Sequence, residues 1–156
     1  MSEYENTEFK IIKAMVICKN DGYYLVDHIL DSKINPIMIS SFVSALSIFG
    51  KENIGKIEEI SVKGLDVELI IVSKYNLILI TLMDRDFYKD IIRKSGEKIL
   101  ELFHAIYEHE LNDPSEIDKF SDFKDILFSE IQTSLDKMKD LHKKRDILKS
   151  GLKYNE

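Results

Sequence analysis

One cysteine, Cys18, stands among the 156 residues, so no disulfide can close within the chain, and a reducing cytoplasm is the simplest compartment. No stretch approaches the ~20 consecutive apolar residues of a membrane-spanning helix. The acidic start (Glu3, Glu5, Glu8) is not a signal peptide, so any membrane contact is expected to be peripheral, through partners. Bases are the minority: 22 Lys and Arg against 28 Asp and Glu leave a net charge of −6. That argues against nucleic acid as a partner, because neutralising phosphates needs a surplus of bases. Glycine-rich phosphate loops are missing too. Neither G-x-x-x-x-G-K-[ST] nor G-x-G-x-x-G occurs, Gly50-Lys51 and Gly55-Lys56 are not followed by Ser or Thr, and Gly96 stands alone in a helical pattern. The chain is not expected to be a GTPase itself.

Catalytic constellations are equally scarce. There is no G-x-S-x-G elbow, and no nucleophile, base and orienting group can be assembled from spacing. His104 and Glu108 are one turn apart with Glu101 nearby, but without H-E-x-x-H or a cysteine partner they read as surface or capping residues. His28 reads as a tolerated sheet residue, His142 as part of a basic tail, and Cys18 as a small buried hydrophobe. Asp84 and Asp86, between a strand and a helix, read as caps rather than paired carboxylates. No catalytic, cofactor-binding or metal-ligating residue is assigned, and the chain is not expected to be an enzyme.

What remains is ordinary globular material, 44% hydrophobic and 32% charged, enough for one domain over residues 1–135 with a charged, partly helical tail over 136–156. Two β-rich runs, 11–18 (IIKAMVIC) and 23–30 (YYLVDHIL), flank Lys19-Asn20-Asp21-Gly22, a strong hairpin signal. Asn35-Pro36 reads as N-cap and first position of a helix. Residues 56–63 alternate like an edge strand, while 65–72 and 77–83 are near-continuous apolar runs linked by Ser73-Lys74-Tyr75-Asn76, so both sheet faces should be covered. Helical spacing returns from 87 to about 111, with Asp84 or Asp86 as cap and Gly96 marking close packing or a bend. Asp113-Pro114-Ser115-Glu116 should open the last helix, whose stripe is Ile117, Phe120, Phe123, Leu127, Ile131, Leu135 and Met138.

The helix over 37–49 (IMISSFVSALSIF) carries no charge at all. Met38, Phe42, Ala45, Leu46 and Phe49 gather on one face and are expected to meet the core. The other face carries Ser40, Ser44 and Ser47 at i, i+4 and i+7, with Ile37 and Ile48 on one side and Ile39 and Val43 on the other. Such a face is expected to be covered, by a second subunit or by the chain's own loops.

The order β-β-α-β-β-β-α-α resembles the longin domain, a relative of the roadblock fold. The likeness is carried by AMVICKNDGYYLV, MISSFVSALSIFGKE, IEEISVKGLDVELIIVSKYNLILITLMD and FYKDIIRKSGEKILELFHAIYEHEL, over roughly residues 11–135. No helical pattern precedes the first strand and two follow the last, which favours longin over roadblock. The resemblance implies an α+β fold, a five-stranded antiparallel sheet with one helix on one face and two on the other (longin/SNARE-like). It further implies a non-enzymatic module that homo- or heterodimerises, with itself or another longin or roadblock subunit, and regulates or scaffolds a small Ras-like GTPase in trafficking-type processes. No SNARE segment with a membrane anchor is expected after the domain. Pairing is expected through Ile37, Ile39, Ser40, Val43, Ser44, Ser47 and Ile48 of the helix, and through Ile57, Glu59 and Ser61 of the edge strand. A small-molecule sensor with a pocket between sheet and helix is the competing class.

Charge changes sign near the end. Residues 113–136 hold seven acids and two lysines, whereas residues 137–156 hold seven bases and three acids. The apolar stripe thins beyond Leu141, so the tail is expected to project or fray.

Overall fold

The computed structural model describes residues 12–31, 33–53, 59–62, 67–84, 88–112 and 117–154. Strands β1 (Ile12–Lys19) and β2 (Tyr24–Ile29) form the expected antiparallel hairpin. Its turn depends on Gly22 at φ +92°, a region closed to most side chains, and on Asp21 Oδ1, which accepts the Tyr23 N–H at 3.0 Å. Helix α1 (Pro36–Asn53) starts as its sequence dictates: Asn35 Oδ1 accepts the N–H groups of Ile37 at 3.0 Å and Met38 at 3.3 Å.

Strands β3 (Glu59–Val62), β4 (Val67–Lys74) and β5 (Leu77–Asp84) complete a sheet ordered β2-β1-β5-β4-β3, antiparallel throughout. The β4–β5 connection is shorter than the sequence implied. Ser73 and Lys74 pair with Ile78 and Leu77, leaving only Tyr75 and Asn76, both at positive φ (56° and 60°), the geometry of a two-residue hairpin turn that follows the natural strand twist.

Helix α2 (Lys89–Tyr107) departs from expectation at its start. Its N-cap is Tyr88 in a left-handed conformation with no capping side chain. Asp84 is instead the last residue of β5, ion-paired with Lys13 at 3.5 Å, and Asp86 lies outside the described residues. Residues 113–116 also lie outside them, and the last helix does not continue from there. A 3-10 turn (Ile117–Phe120) intervenes, and helix α3 opens at Phe123 and runs unbroken to Tyr154. Aromatic packing accounts for the break. The separate turn seats the Phe120 ring 5.5 Å from Phe103 and 5.1 Å from Tyr107, while Phe123 meets Phe103 edge-on at 4.9 Å.

Strand alternation divides the core in two. Met15, Ile17, Ile70, Leu79 and Met83 face α2 and α3, packing on Ile99, Leu100, Phe103, Leu127 and Ile131. Cys18, Leu69, Ile71, Ile78 and Ile80 face the other way, toward Val43 of α1. Thus the apolar runs of β4 and β5 are covered on both sides, as continuous hydrophobicity requires. Gly96 marks where α2 presses closest: a Cβ there would stand 3.0 Å from Val72 Cγ2 and 3.2 Å from Leu79 Cδ2. The packed stripe of α3 ends at Met138, and residues 140–151 are exposed along a helix that crosses the expected boundary at 135 without interruption.

Candidate interaction surface

Helix α1 is seated with the opposite face inward from the one its wheel suggested. Ser40, Val43 and Ser44 are buried, whereas Ile37, Met38, Phe42 and Ile48 are 60%, 70%, 54% and 52% exposed. Ala45, expected in the core, is exposed as well, Leu46 is half-buried, and the Phe49 side chain lies outside the described residues. Ser40, Val43 and Ser44 therefore do not form a face for a partner, because this chain's own sheet and hairpin already cover them.

The physical reason lies in size and hydroxyl chemistry. Ser44 Oγ donates to the Asn20 carbonyl at 3.1 Å, tying α1 to the β1–β2 turn, and Ser40 Oγ donates back to the Ile37 carbonyl at 3.0 Å. Both hydroxyls are satisfied by backbone, so they are buried without the cost of an orphaned polar group. Their small side chains let the helix approach the turn at Gly22 closely. A helix apolar all round gives no hydrophobic contrast from which to read its orientation. The Asp-Gly turn, which can accept only a small neighbour, was the signal that separated the faces.

Of the other expected interface residues, Ile39 is half-buried and packs on the α1-side core, while Ile37 and Ile48 are outward. Ser47 belongs to α1 and Glu59 and Ser61 to β3; their side chains, and all of Ile57, lie outside the described residues. Strand β3 is the sheet's terminal strand and pairs only with β4 among described strands, Glu59 opposite Ile70 and Ser61 opposite Glu68. Helix α1 lies chiefly over β1 and β2. The outer face of α1, with Met38 and Phe42 now included, is an exposed apolar surface among the described residues.

Burial, and then the Asp21 charge, push the Cys18 thiol up to about 12, so it is no nucleophile at neutral pH. The His104 ring stacks on Tyr75 at 4.2 Å and its Nε2 lies 3.7 Å from Glu108. No cluster of His, Cys, Asp or Glu able to hold a metal occurs among the described residues. An open groove of about 490 Å³ runs between α2 and α3, lined by Lys94, Ser95, Lys98, Glu130 and Ser134. Its polar groups pair across it: Ser95 with Ser134 at 2.8 Å and Lys98 with Glu130 at 3.0 Å. No helix among the described residues is long and apolar enough to cross a membrane.

No family model and no curated protein matches the chain. Solved structures do. A Roadblock/LC7 domain from Streptomyces avermitilis is 14% identical, with a TM-score of 0.53 over 63% of this chain and 87% of that one. MglB of Myxococcus xanthus is 12% identical (TM-score 0.47, 60% and 78% covered), and the gliding protein mglB of Thermus thermophilus is 13% identical (0.40, 51% and 67%). At such identities the likeness is one of architecture, and by the first of these structures the chain has a roadblock-like fold of the longin type.

Proposed function

We propose that this chain is a non-enzymatic, roadblock/longin-like interaction module that pairs through the outer face of α1, with itself or a related subunit, and regulates or scaffolds a small Ras-like GTPase in the cytoplasm. The carrying observation is the cluster of Ile37, Met38, Phe42 and Ile48, more than half exposed on a helix that holds no charge over residues 37–49. Contiguous apolar exposure of this kind marks an interaction site. Burying each of these side chains would contribute ~1.5–3 kcal/mol, against association costs of ~4–15 kcal/mol, which is the range where a stable pair becomes accessible. The GTPase rests on the longin resemblance and on the roadblock-like fold. The terminal strand β3 adds a second route to pairing, by sheet extension through Ile57, Glu59 and Ser61.

The experiment is a native mass measurement at tens of micromolar, followed by binding to a panel of purified Ras-like GTPases loaded with GDP or GTP analogues. A pair that also binds one nucleotide state selectively supports the reading. A strict monomer that binds no member of the panel overturns it.

A further inference from the structure

Helix α3 continues past the core it packs on. Every residue from 140 to 151 is exposed, including Leu141 and Leu148 at 42% and 69%. These two leucines, seven residues apart, prolong the face on which Ser134 and Met138 are buried further back along the helix. Basic residues border them on both sides. At ~100° of turn per residue, Lys137 and Lys144 on one flank and Arg145 on the other stand within about 50° of the stripe, with Lys149 about 90° from it on the Arg145 side. The acids are turned aside and engaged: Asp140, about 90° off, meets Lys144 at 3.2 Å, and Asp146, about 150° off, meets His142 at 3.5 Å. Ile147 falls outside the stripe. Lys94 of α2 carries the basic border onto the body of the domain, since it lines the groove that Lys137 and Leu141 also line.

Charge is divided unevenly along the chain. Residues 137–154 hold seven bases and two acids, a balance of +5, so the net −6 leaves −11 on the rest. An anionic surface therefore attracts the projecting helix and repels the body behind it, which fixes the orientation of approach. Two features favour lipid over a protein helix as the occupant. Beyond Leu141 the stripe lies on a helix exposed on every side, a convex ridge rather than a groove. Arg145 follows Met138 by seven residues, so in a packed helix seam its guanidinium falls between the leucines and has to be stripped of water, which only a dedicated carboxylate offsets. In a headgroup layer the same side chain lays its stem beside the leucines and its charge on phosphate.

We propose that residues 137–151 of α3 lie along an anionic lipid surface, with Leu141 and Leu148 inserted between headgroups and Lys137, Lys144, Arg145 and Lys149 against their phosphates and carboxylates. The inference does not rest on pairing or on a GTPase, because α1 packs on the other side of the sheet from α2 and α3. Its consequence is that the domain is held at a membrane by its own last helix.

The test is flotation of the 156-residue chain with vesicles of phosphatidylcholine and phosphatidylserine at about three to one, beside vesicles of phosphatidylcholine alone. The chain is expected to float with the anionic vesicles at low salt and to stay behind with the neutral ones. Added salt releases it as the screening length shrinks from ~10 Å to ~3 Å. Lys144→Glu/Arg145→Glu lowers the partition coefficient about 25-fold or more, each lost basic charge weakening binding about fivefold (~1 kcal/mol). Leu148→Asp lowers it as well. These positions are exposed, so an unchanged urea midpoint shows that the fold is kept. A nitrobenzoxadiazole label shifts blue on anionic vesicles when carried by Leu148→Cys and not by Ser150→Cys, on the opposite side of the helix; Cys18 is buried and takes no label. A chain that stays unbound at low salt overturns the proposal, and so do tail variants that bind as wild type. In the latter case, loss of binding in Met38→Asp/Phe42→Asp assigns the lipid contact to α1 instead. A chain that ignores vesicles but self-associates through Leu148 overturns it in favour of a second copy. One that ignores them but binds a synthetic leucine–glutamate helix overturns it in favour of an acidic protein partner.

Discussion

Ser44 Cβ stands 2.9 Å from the point where a side chain on Gly22 would begin, and the Ser44 hydroxyl is bonded to the carbonyl of Asn20 in the same turn. Helix α1 and the β1–β2 hairpin are therefore fitted to each other through the two smallest available surfaces. The sheet-facing side of α1 is fixed at this point, and its apolar outer side is left for something else.

Gly22→Ala should destabilise the fold by about 1–3 kcal/mol, because φ +92° is unfavourable for alanine and the added methyl meets Ser44. Ser44→Ala should cost about 1 kcal/mol by removing the bond to Asn20. Ser44→Glu places a carboxylate in a buried seat and should cost about 3 kcal/mol or more. Urea unfolding checks all three: the midpoint falls least for Ser44→Ala and most for Ser44→Glu, while the slope stays constant.

Met38→Asp/Phe42→Asp should do the reverse. Both side chains are mostly exposed, so the melting transition of the isolated subunit is retained while association is lost. Sedimentation equilibrium beside urea unfolding separates the two effects. A double variant that still associates would exclude the outer face of α1 as the contact.

Gly96→Val should destabilise by about 1–3 kcal/mol, since an atom at Cβ already stands 3.0 Å from Val72 Cγ2 and branching leaves it nowhere to turn. Shortening the neighbour in Val72→Ala/Gly96→Val should recover part of the loss. A double-mutant cycle with no coupling between the two positions would contradict the close approach of α2 to the sheet.

Period and turn chemistry made the first hairpin, the Asn35 cap, the edge position of β3 and the two-sided burial of β4 and β5 legible in the sequence. The helix starts at Tyr88 and Phe123 were not. The first rests on a left-handed tyrosine with no capping side chain that the sequence could advertise, and the second follows an aromatic cluster assembled from Phe103, Tyr107, Phe120 and Phe123 across α2, the 3-10 turn and α3. The candidate surface was legible as a helix and illegible as a face. In a segment without charge, orientation is decided by which side chains are small enough to meet a turn some 20 residues earlier, and periodicity carries no record of that contact.

Stability should also fall as the pH drops below neutrality, through His28 on β2. Its ring meets Phe128 of α3 edge-on at 5.5 Å, and its Nε2 is buried without a hydrogen-bond partner. Burial lowers the imidazole below the usual histidine range; the neighbouring Asp27 carboxylate opposes this and Lys124 of α3 adds to it. A folded-state value below the unfolded one means that the unfolded chain binds the extra proton more readily. The contribution is therefore present above roughly pH 6.5, the unfolded histidine value, and is lost as the pH falls from there through the depressed folded value. His28→Phe keeps a ring against Phe128 and cannot take up a proton, so it should flatten the dependence of urea midpoint on pH between neutral and mildly acidic buffers. If wild type and His28→Phe lose stability in parallel over that window, the β2–α3 contact is not the site of proton linkage.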